Sequence, residues 1–357
     1  MRKLRVALDA RSLQQRPLGG VGRSTRALVD AVREHVDLAL FTDAWHRPIE
    51  TDLPQRPLLS PLTRTMTAWL QLAVPSALRD FRGIFHCPWY GLPFRQPVPM
   101  VVTIHDLTFE EMKSGFRPHQ RAAYRVQARW AARTAAHVLT GSEAVRKQLC
   151  TRYRVHPWRV TVHPDPLDRR VARVDPTRLE ALRARLGVAG RYVVAVDGAP
   201  RRRVDLALAA WPLVRAQAPD VSLVVLGGQP QDLPPGVVAA GVVDDPDWAA
   251  ALGGANALVY PTEFEGFGYP ALEAMALGTP VVCPPVGALP ELVGDAGCWI
   301  ERHDPGSVAA AVGRVLADTE LGDRLSAAGR VRTAEASDLQ VLRDRVLDAY
   351  DRAAAAA

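Results

Sequence analysis

Short apolar runs alternate with amphipathic stretches along the whole chain. Each run has the length of a strand and is followed by a turn and a segment of helical periodicity, which is typical of α/β proteins with parallel sheets. The predicted strands of the first half are Leu4–Leu8, Leu38–Phe41, Gly83–His86, Met100–Ile104, His137–Thr140 and Val160–Val162. Those of the second half are Arg191–Val196, Val221–Leu226, Val237–Val242, Ala257–Tyr260, Pro280–Cys283 and Cys298–Ile300.

A segment rich in prolines and charges, from His163 to Asp175, separates two such series. Prolines at this density discourage helices and mark a connection. Both series open with a strand, a loop of small or basic residues and a helix. We therefore predict two Rossmann-like domains, residues 1–165 and 166–337, that face a central cleft, with ligands beyond the carboxyl ends of the strands. The amphipathic helix at 338–357 is predicted to pack back on the first domain.

The net charge of the chain is +6, and arginine supplies most of the positive charge. A basic balance suits phosphorylated ligands, an anionic membrane or nucleic acid. Acidic residues occur throughout and there is no basic tail, so we expect no nucleic-acid partner. The chain has no apolar run long enough to span a membrane and no signal peptide, which predicts a cytoplasmic location.

Four arginines lie four residues apart on one predicted helix, at Arg121, Arg125, Arg129 and Arg133. A helix with this stripe could rest on anionic lipid at the inner membrane face. Charged side chains are mostly exposed in any case, so a solvated face is the favoured interpretation. Peripheral membrane contact is therefore the alternative and not the expectation.

The segment Glu265–Glu273 carries the clearest chemistry. Gly266 and Gly268 let the backbone approach a ligand closely, and the N-terminus of the following helix offers N–H groups to a phosphate. Glu273 can accept hydrogen bonds from vicinal hydroxyls such as those of a ribose. Glu265 can bind sugar hydroxyls or stabilise positive charge at an anomeric carbon. The alternative treats Glu273 as a helix-dipole partner and Glu265 as a solvated loop residue.

This segment resembles the Glu-x7-Glu motif of glycosyltransferase family 4, whose members are retaining enzymes with the two-domain GT-B type of fold. The resemblance covers nearly the whole chain, in order. Gly19–Thr25 resembles the glycine-rich first loop of the family, which implies that Gly20 and Gly22 contact the donor phosphates or the acceptor. Thr103–Leu107 resembles the His-Asp-Leu segment of the mannosyltransferase-like branch, which implies that His105 lies beside the donor sugar.

The chain departs from the family pattern in two places. After the first strand of the second domain the family has a basic pair with a lysine on the diphosphate, whereas this chain reads Asp197–Arg203. Arg202 best matches that lysine, with Arg201 as the alternative register, and arginine would hold a phosphate as a planar fork. The frequent Pro-Asn-Gly turn of the family reads Pro164-Asp165-Pro166.

The resemblance implies retaining transfer of a hexose from a nucleotide-diphosphate sugar, GDP-mannose or a UDP-sugar, to a small-molecule, glycan or lipid-linked acceptor. No cofactor and no metal are required on this scheme. Glu265 and His105 are the implied catalytic residues. The implied donor-binding residues are Gly20, Gly22, Arg201, Arg202, Gly266, Phe267, Gly268, Tyr269 and Glu273.

Other functions stay open at this point. A sugar-nucleotide epimerase, a phosphorylase or a non-catalytic sugar-nucleotide-binding partner would use the same fold. A dehydrogenase is less favoured, because Gly20-x-Gly22-x-x-Thr25 lacks the third glycine of a dinucleotide fingerprint. Asp245-Pro246-Asp247 imitates a metal-binding Asp-x-Asp, but its place just ahead of a helix favours an acidic cap.

Overall fold

The computed structural model describes residues 3–15, 18–59, 66–112, 115–163, 165–168, 171, 173–336 and 338–356. The chain divides into two compact units. The first unit comprises Met1–Glu110, Phe116–Pro166 and Asp338–Ala357, and the second comprises Glu111–Gly115 and Leu167–Ser337. Pro164 of the predicted turn lies outside the described residues.

The first unit is built on a seven-stranded parallel sheet with the order β3-β2-β1-β4-β5-β6-β7. Its strands are β1 (Arg5–Asp9), β2 (Asp37–Asp43), β3 (Gln55–Leu58), β4 (Ile84–Cys87), β5 (Met100–Thr103), β6 (His137–Thr140) and β7 (Val160–Val162). Its helices are α1 (Gly20–Val32), α2 (Met66–Ala68), α3 (Val74–Ala77), α4 (Thr108–Glu111), α5 (Pro118–Thr134) and α6 (Glu143–Tyr153), with a π-helical turn at Trp69–Ala73. The central strands are buried on both faces, which explains their continuous apolar sequence.

The second unit has a six-stranded parallel sheet with the order β10-β9-β8-β11-β12-β13. Its strands are β8 (Tyr192–Val196), β9 (Ser222–Leu226), β10 (Val237–Gly241), β11 (Ala257–Val259), β12 (Val281–Cys283) and β13 (Gly297–Trp299). Its helices are α7 (Pro176–Leu186), α8 (Val204–Gln217), α9 (Asp245–Gly253), α10 (Tyr269–Leu277), α11 (Leu289–Val293), α12 (Pro305–Ala317) and α13 (Thr319–Ala336). The sheet again has one apolar cluster on each face.

Every predicted strand is present, and its ends differ from the prediction by at most two residues. The prediction missed β3, because only one of the four residues of this edge strand is buried and the strand carries no apolar run. The first helix was predicted at Val21–Val36 but begins at Gly20 and ends at Val32. Gly20 and Gly22 both lie in its first turn, whereas the prediction left Gly20 in the preceding loop; their contact with the donor stays a prediction.

The arginine stripe of α5 is exposed but largely bonded within the first unit. Arg121 donates to the carbonyl of Phe109 at 2.6 Å, Arg125 donates to the carboxylate of Glu110 at 2.7 Å, and Arg133 donates to the carbonyl of Tyr153 at 3.0 Å. The stripe thus holds α5 against its neighbours, which the prediction of a purely solvated face did not include. None of the described helices has the length and apolar character needed to cross a membrane.

The last helix, α14 (Leu339–Ala355), belongs to the first unit and packs against α1. Its Tyr350 hydroxyl lies 2.8 Å from Nδ1 of His86, whose Nε2 lies 2.8 Å from the Thr103 hydroxyl. All three side chains are buried. Burial, followed by the charges of His163 and His105, lowers the pKa of His86 to about 3.

The depressed pKa of His86 predicts a loss of stability in weak acid. The unfolded chain binds this proton near pH 6.5, whereas the folded unit binds it only near pH 3. Stability is therefore full above about pH 6.5 and falls below it, because the unfolded state then binds more protons. We expect the free energy of unfolding to be lower by about 2 kcal/mol at pH 5 than at pH 7.5 from this group alone. Urea denaturation at both pH values measures the difference.

A comparison of two variants separates the contribution of His86 to the pH dependence of stability from that of other titrating groups. His86→Gln should lower stability at pH 7.5 but weaken the pH dependence. His35→Gln, at an exposed position, should retain the pH dependence of the parent chain. An unchanged pH dependence in His86→Gln would contradict the assignment.

Candidate functional site

The strand order of the second unit reverses between β8 and β11, because the chain proceeds from β8 to one side and later returns to the other. At such a point the loops beyond the carboxyl ends leave a crevice in which ligands bind. The loop after β8 contains Arg201 and Arg202, and the loop after β11 contains Glu265. The structure therefore brings these predicted residues together at one edge of the second sheet.

Glu265 is buried, with 4% of its surface exposed, and its carboxylate is well paired. The Tyr260 hydroxyl donates to Oε1 at 2.5 Å and Nε of Arg201 donates to the same oxygen at 3.2 Å. Thr262 adds a longer contact at 3.4 Å. Burial, followed by the charge of Glu265, raises the pKa of Tyr260, so the phenol keeps its proton and acts as the donor. The alternative of a solvated loop residue is wrong for Glu265.

The backbone around Glu265 is fixed as closely as its side chain. Its carbonyl accepts the Ala288 amide at 2.9 Å. Gly287 approaches that carbonyl with φ at 56°, and a Cβ there would lie 2.1 Å from the Glu265 oxygen. A glycine is therefore required at position 287, and this close approach holds Glu265 against the chain that enters α11.

The glycine turn after Glu265 leads directly into α10. Gly268 is the N-cap residue, with φ at 105°, a left-handed conformation that favours glycine. Gly266 and Gly268 are buried, whereas Phe267 and Tyr269 are half-buried with ring centroids 5.1 Å apart. The first turn of α10 has amide groups free of intrahelical acceptors, as every helix N-terminus does. This part of the predicted donor site is thus a helix N-terminus beside two half-buried rings.

Glu273 lies inside α10 and is 1% exposed. Its Oε2 accepts a hydrogen bond of 2.7 Å from the indole nitrogen of Trp248, on helix α9. A buried carboxylate needs such a donor, so this contact accounts for its place in the fold. The ribose-binding role of Glu273 stays a prediction.

The three arginines after β8 make different contacts. Arg201 is directed to Glu265, and Arg203, at φ 49°, pairs with Asp205 and Glu263. Nη1 of Arg202 donates to the carbonyl of Asp197 at 2.5 Å. Nε of Arg202 is buried and has no hydrogen-bond acceptor among the described residues. Of the two registers that the sequence left open, Arg202 is the one with a donor that has no acceptor among the described residues.

The Asp245-Pro246-Asp247 stretch forms the start of α9. The capping residue is Asp244, one position earlier, whose Oδ1 accepts the Asp247 amide at 2.9 Å. Asp247 is ion-paired with Arg185 at 2.8 Å and with Arg178 at 3.4 Å. Among the described residues no group of three or more His, Cys, Asp or Glu side chains is arranged to hold a metal ion.

The remaining predicted residues lie in the first unit. His105 follows β5 and is partly exposed, and its Nε2 lies 3.3 Å from the carbonyl oxygen of Pro88. Gly20 begins α1, and Gly22 lies two positions later in the same turn, where a Cβ would lie 2.9 Å from the Leu18 side chain. At the end of β1, Asp9 is buried and makes a bidentate ion pair with Arg11, at 2.9 and 2.7 Å.

Sequence reasoning missed the partners of the predicted site residues. Tyr260 was assigned only to a strand, and Thr262 and Trp248 were given no role, although each bonds a site carboxylate. The signal for Tyr260 and Thr262 is their place between a buried strand and Glu265. A hydrogen bond between residues far apart in the sequence, such as the one from Trp248 to Glu273, leaves no local sequence pattern.

Removal of the Tyr260 hydroxyl should destabilise the second unit. Tyr260→Phe takes a donor from a buried charge, and we expect a loss of about 2 kcal/mol in the free energy of unfolding. Tyr192→Phe is the matched control, because that buried hydroxyl donates to the neutral carbonyl of Ala251 at 2.9 Å and should cost only about 1 kcal/mol. Urea denaturation measures both, and a Tyr260→Phe loss no larger than that of the control would refute the charged pairing.

Comparison with known proteins assigns a family to each half of the chain. Residues 18–171 match the family model described as Glycosyltransferase Family 4, and residues 183–318 match the model described as Glycosyl transferases group 1. The chain is 27% identical over 358 residues to O-antigen chain mannosyltransferase B of Escherichia coli, covering 88% of this chain and 91% of that protein. It is 32% identical to D-inositol 3-phosphate glycosyltransferase of Salinispora arenicola, covering 66% of this chain but only 60% of that protein.

Solved structures resemble the whole chain. The structure of Anabaena HepE in complex with UDP and glucose has a TM-score of 0.75 at 17% identity, covering 98% of this chain and 100% of that one. WaaG, a glycosyltransferase involved in lipopolysaccharide biosynthesis, has a TM-score of 0.72 at 17% identity, covering 97% and 99%. At these identities the likeness concerns the fold alone, and the predicted GT-B type of fold is confirmed.

Proposed function

The chain belongs to glycosyltransferase family 4, and we propose that it is a retaining hexosyltransferase that uses a nucleotide-diphosphate sugar as donor. The observation that carries the proposal is the buried Glu265, held by Tyr260 and Arg201 at the point where the strand order of the second sheet reverses. A carboxylate fixed in this way can stabilise an oxocarbenium-like anomeric carbon without reorganising during the reaction.

The charge that develops on the leaving diphosphate needs its own stabilisation. Arg202 supports this role, because its Nε is a buried donor without an acceptor among the described residues. The N-terminus of α10 after Gly268 adds backbone amides and the positive end of a helix dipole. We assign the diphosphate to Arg202 and this helix N-terminus, and the positioning of Glu265 to Arg201.

The remaining predicted residues complete the scheme. His105 and Glu265 act on the donor sugar, Glu273 on the nucleotide ribose, and Gly20 and Gly22 on the phosphates or the acceptor. The leaving diphosphate takes the acceptor proton on the same face, which keeps the anomeric configuration. The scheme assigns no step to a metal or a cofactor.

The donor we favour is GDP-mannose, with a UDP-sugar as the alternative. The support for mannose is the similarity to a mannosyltransferase over nearly the full length of both chains. The support for uridine is the fold shared with a protein whose structure contains UDP and glucose. The acceptor belongs to the class of small-molecule, glycan or lipid-linked hydroxyl compounds.

Loss of the Glu265 charge should abolish most of the transfer. We expect Glu265→Gln to lower kcat by at least about 100-fold, because the developing positive charge loses its partner. Glu263→Gln is the matched control, since that residue lies two positions away, pairs with Arg203 and has no assigned role. Rates come from release of nucleoside diphosphate, and NMR of the product gives the anomeric configuration.

Two results would contradict the proposal. One is an unaltered transfer rate in Glu265→Gln, which would remove Glu265 from the mechanism. The other is an inverted product, which would exclude a retaining reaction. An isomerised sugar nucleotide in place of a transferred sugar would identify an epimerase.

A panel of nucleotides should separate the donor classes. Thermal unfolding of the full chain is followed with GDP, UDP and TDP and with their sugars, because a ligand stabilises the folded state according to its concentration and affinity. We expect the largest shift with GDP and GDP-mannose. A shift confined to UDP compounds would transfer the assignment to a UDP-sugar.

The same assay tests the diphosphate assignment of Arg202. Arg202→Ala should weaken binding of the best nucleotide by about tenfold, the effect of one lost hydrogen bond to a charged group. Arg191→Ala is the matched control, because that exposed arginine pairs with Asp220 at the surface and should leave binding unchanged. Equal affinity in Arg202→Ala and the parent chain would refute the assignment.

A further inference from the structure

Asp165 is a buried carboxylate in the first unit, 1% exposed, just after β7. Its Oδ1 accepts a hydrogen bond of 2.6 Å from the Ser24 hydroxyl, on helix α1. Its Oδ2 has no hydrogen-bond donor among the described residues and lies 4.0 Å from Nδ1 of His105. The carboxylate thus lies between the helix that begins at Gly20 and the histidine implied to lie beside the donor sugar.

The surroundings of Asp165 are rich in imidazole. His163 is buried, and its Nδ1 lies 3.8 Å from Oδ1 of Asp165. His86 is close enough that the charges of His163 and His105 both lower its pKa. Oδ2 of Asp165 is unfavourable in such a buried place unless a donor or a cation approaches it.

The ring orientation of His105 follows from its two neighbours. Nε2 lies 3.3 Å from the carbonyl oxygen of Pro88, which can only accept a hydrogen bond, so Nε2 carries a proton. Nδ1 is then the nitrogen that faces Asp165, and it can donate a hydrogen bond to that carboxylate only when it carries a proton as well, as in the imidazolium, in which both ring nitrogens are donors. The ring thus directs Nε2 towards Pro88 and Nδ1 towards Asp165.

We propose that Asp165 is a positioning residue for His105. Ser24 anchors the carboxylate, and the carboxylate attracts a protonated Nδ1 and so holds the imidazolium in the orientation that acts on the donor sugar. The proposal rests on the proposed function, because it takes His105 as a residue of the transfer reaction. The family's frequent Pro-Asn-Gly turn has an asparagine at this position, which could accept the hydrogen bond from Ser24 but carries no charge. This chain has the charged Asp165 instead.

The test is a double-mutant cycle on the full chain. Asp165→Asn should lower kcat about tenfold, with the KM for the donor changed by less than about twofold, because a misoriented ring affects the reaction more than binding. If Asp165 acts through His105, the double variant with His105→Ala should be no slower than His105→Ala alone. Asp348→Asn, an exposed residue on α14 paired with Arg352, is the matched control and should retain the parent rate.

A spectroscopic measurement supplies a readout that does not depend on turnover. The ring ¹⁵N resonances of His105, assigned with the His105→Ala variant, should shift in Asp165→Asn and not in Asp348→Asn. Ser24→Ala should cause a smaller shift and a smaller loss of kcat, about threefold, because the charge remains but its anchor is lost. If Asp165→Asn does not fold, Ser24→Ala still tests the proposal, through its His105 shift and its kcat.

The outcomes separate this proposal from the proposed function. A parent chain without transferase activity would refute the proposed function, and the ¹⁵N shifts alone would then decide whether Asp165 holds His105. An active parent chain with a parental kcat in Asp165→Asn would overturn the positioning role. Additive losses in the double variant would also overturn it, because Asp165 would then act by another route.

Discussion

Parallel strand pairing is the constraint on which both units depend. Parallel neighbours cannot be joined by a tight turn, so each strand is followed by a crossover that returns to the opposite edge of the sheet. All carboxyl ends of a sheet therefore lie at one edge, and both sheets have the same order around β1 and β8. Polar residues lie at the strand ends and in the loops at each reversal of order, with Asp9 at the end of β1 and Arg201 and Glu265 in the loops after β8 and β11.

Burial at these edges requires that every carboxylate has a partner. Asp9 is held by Arg11, whose guanidinium also lies over the ring of Trp69 at 3.6 Å. Glu265 is held by Arg201 and Tyr260, and Glu273 by the Trp248 indole. A charge removed from water without such donors would be neutralised or would destabilise the fold. Fixed partners also keep each carboxylate in one orientation, which is what a site that stabilises a transition state requires.

Most strands could be predicted because each buried strand has a recognisable pattern in its own sequence. The buried strands are continuous apolar runs, and a central strand such as Tyr192–Val196 is recognisable without knowledge of its neighbours. The edge strand Gln55–Leu58 has no such run, since its stability comes from pairing with β2. The start of the first helix was predicted to within one residue, but its end lies four residues before the predicted Val36. The sequence could not show why a glycine stands at position 22, where a Cβ would lie 2.9 Å from Leu18 and 3.0 Å from the Ser12 carbonyl oxygen.

The site could be predicted only as far as a motif names its residues. Glu265 and the arginine loop were found in this way, but their pairing joins positions 64 residues apart and depends on β8 lying next to β11. The same holds for Ser24 and Asp165, which are 141 residues apart. Such contacts depend on strand order, and strand order is a property of the folded sheet rather than of any segment.

The arginine loop shows how the structure distinguishes neighbouring residues of one type. In sequence Arg202 best matches a phosphate-binding lysine, with Arg201 as the alternative register. The loop folds into a 3₁₀ turn over Pro200–Arg202, and Arg203 adopts a left-handed conformation. Consecutive side chains on such a turn point in different directions. Arg201 contacts Glu265, Arg203 contacts Asp205, and Nε of Arg202 is a buried donor without an acceptor among the described residues, so one short turn directs three adjacent arginines to three different environments.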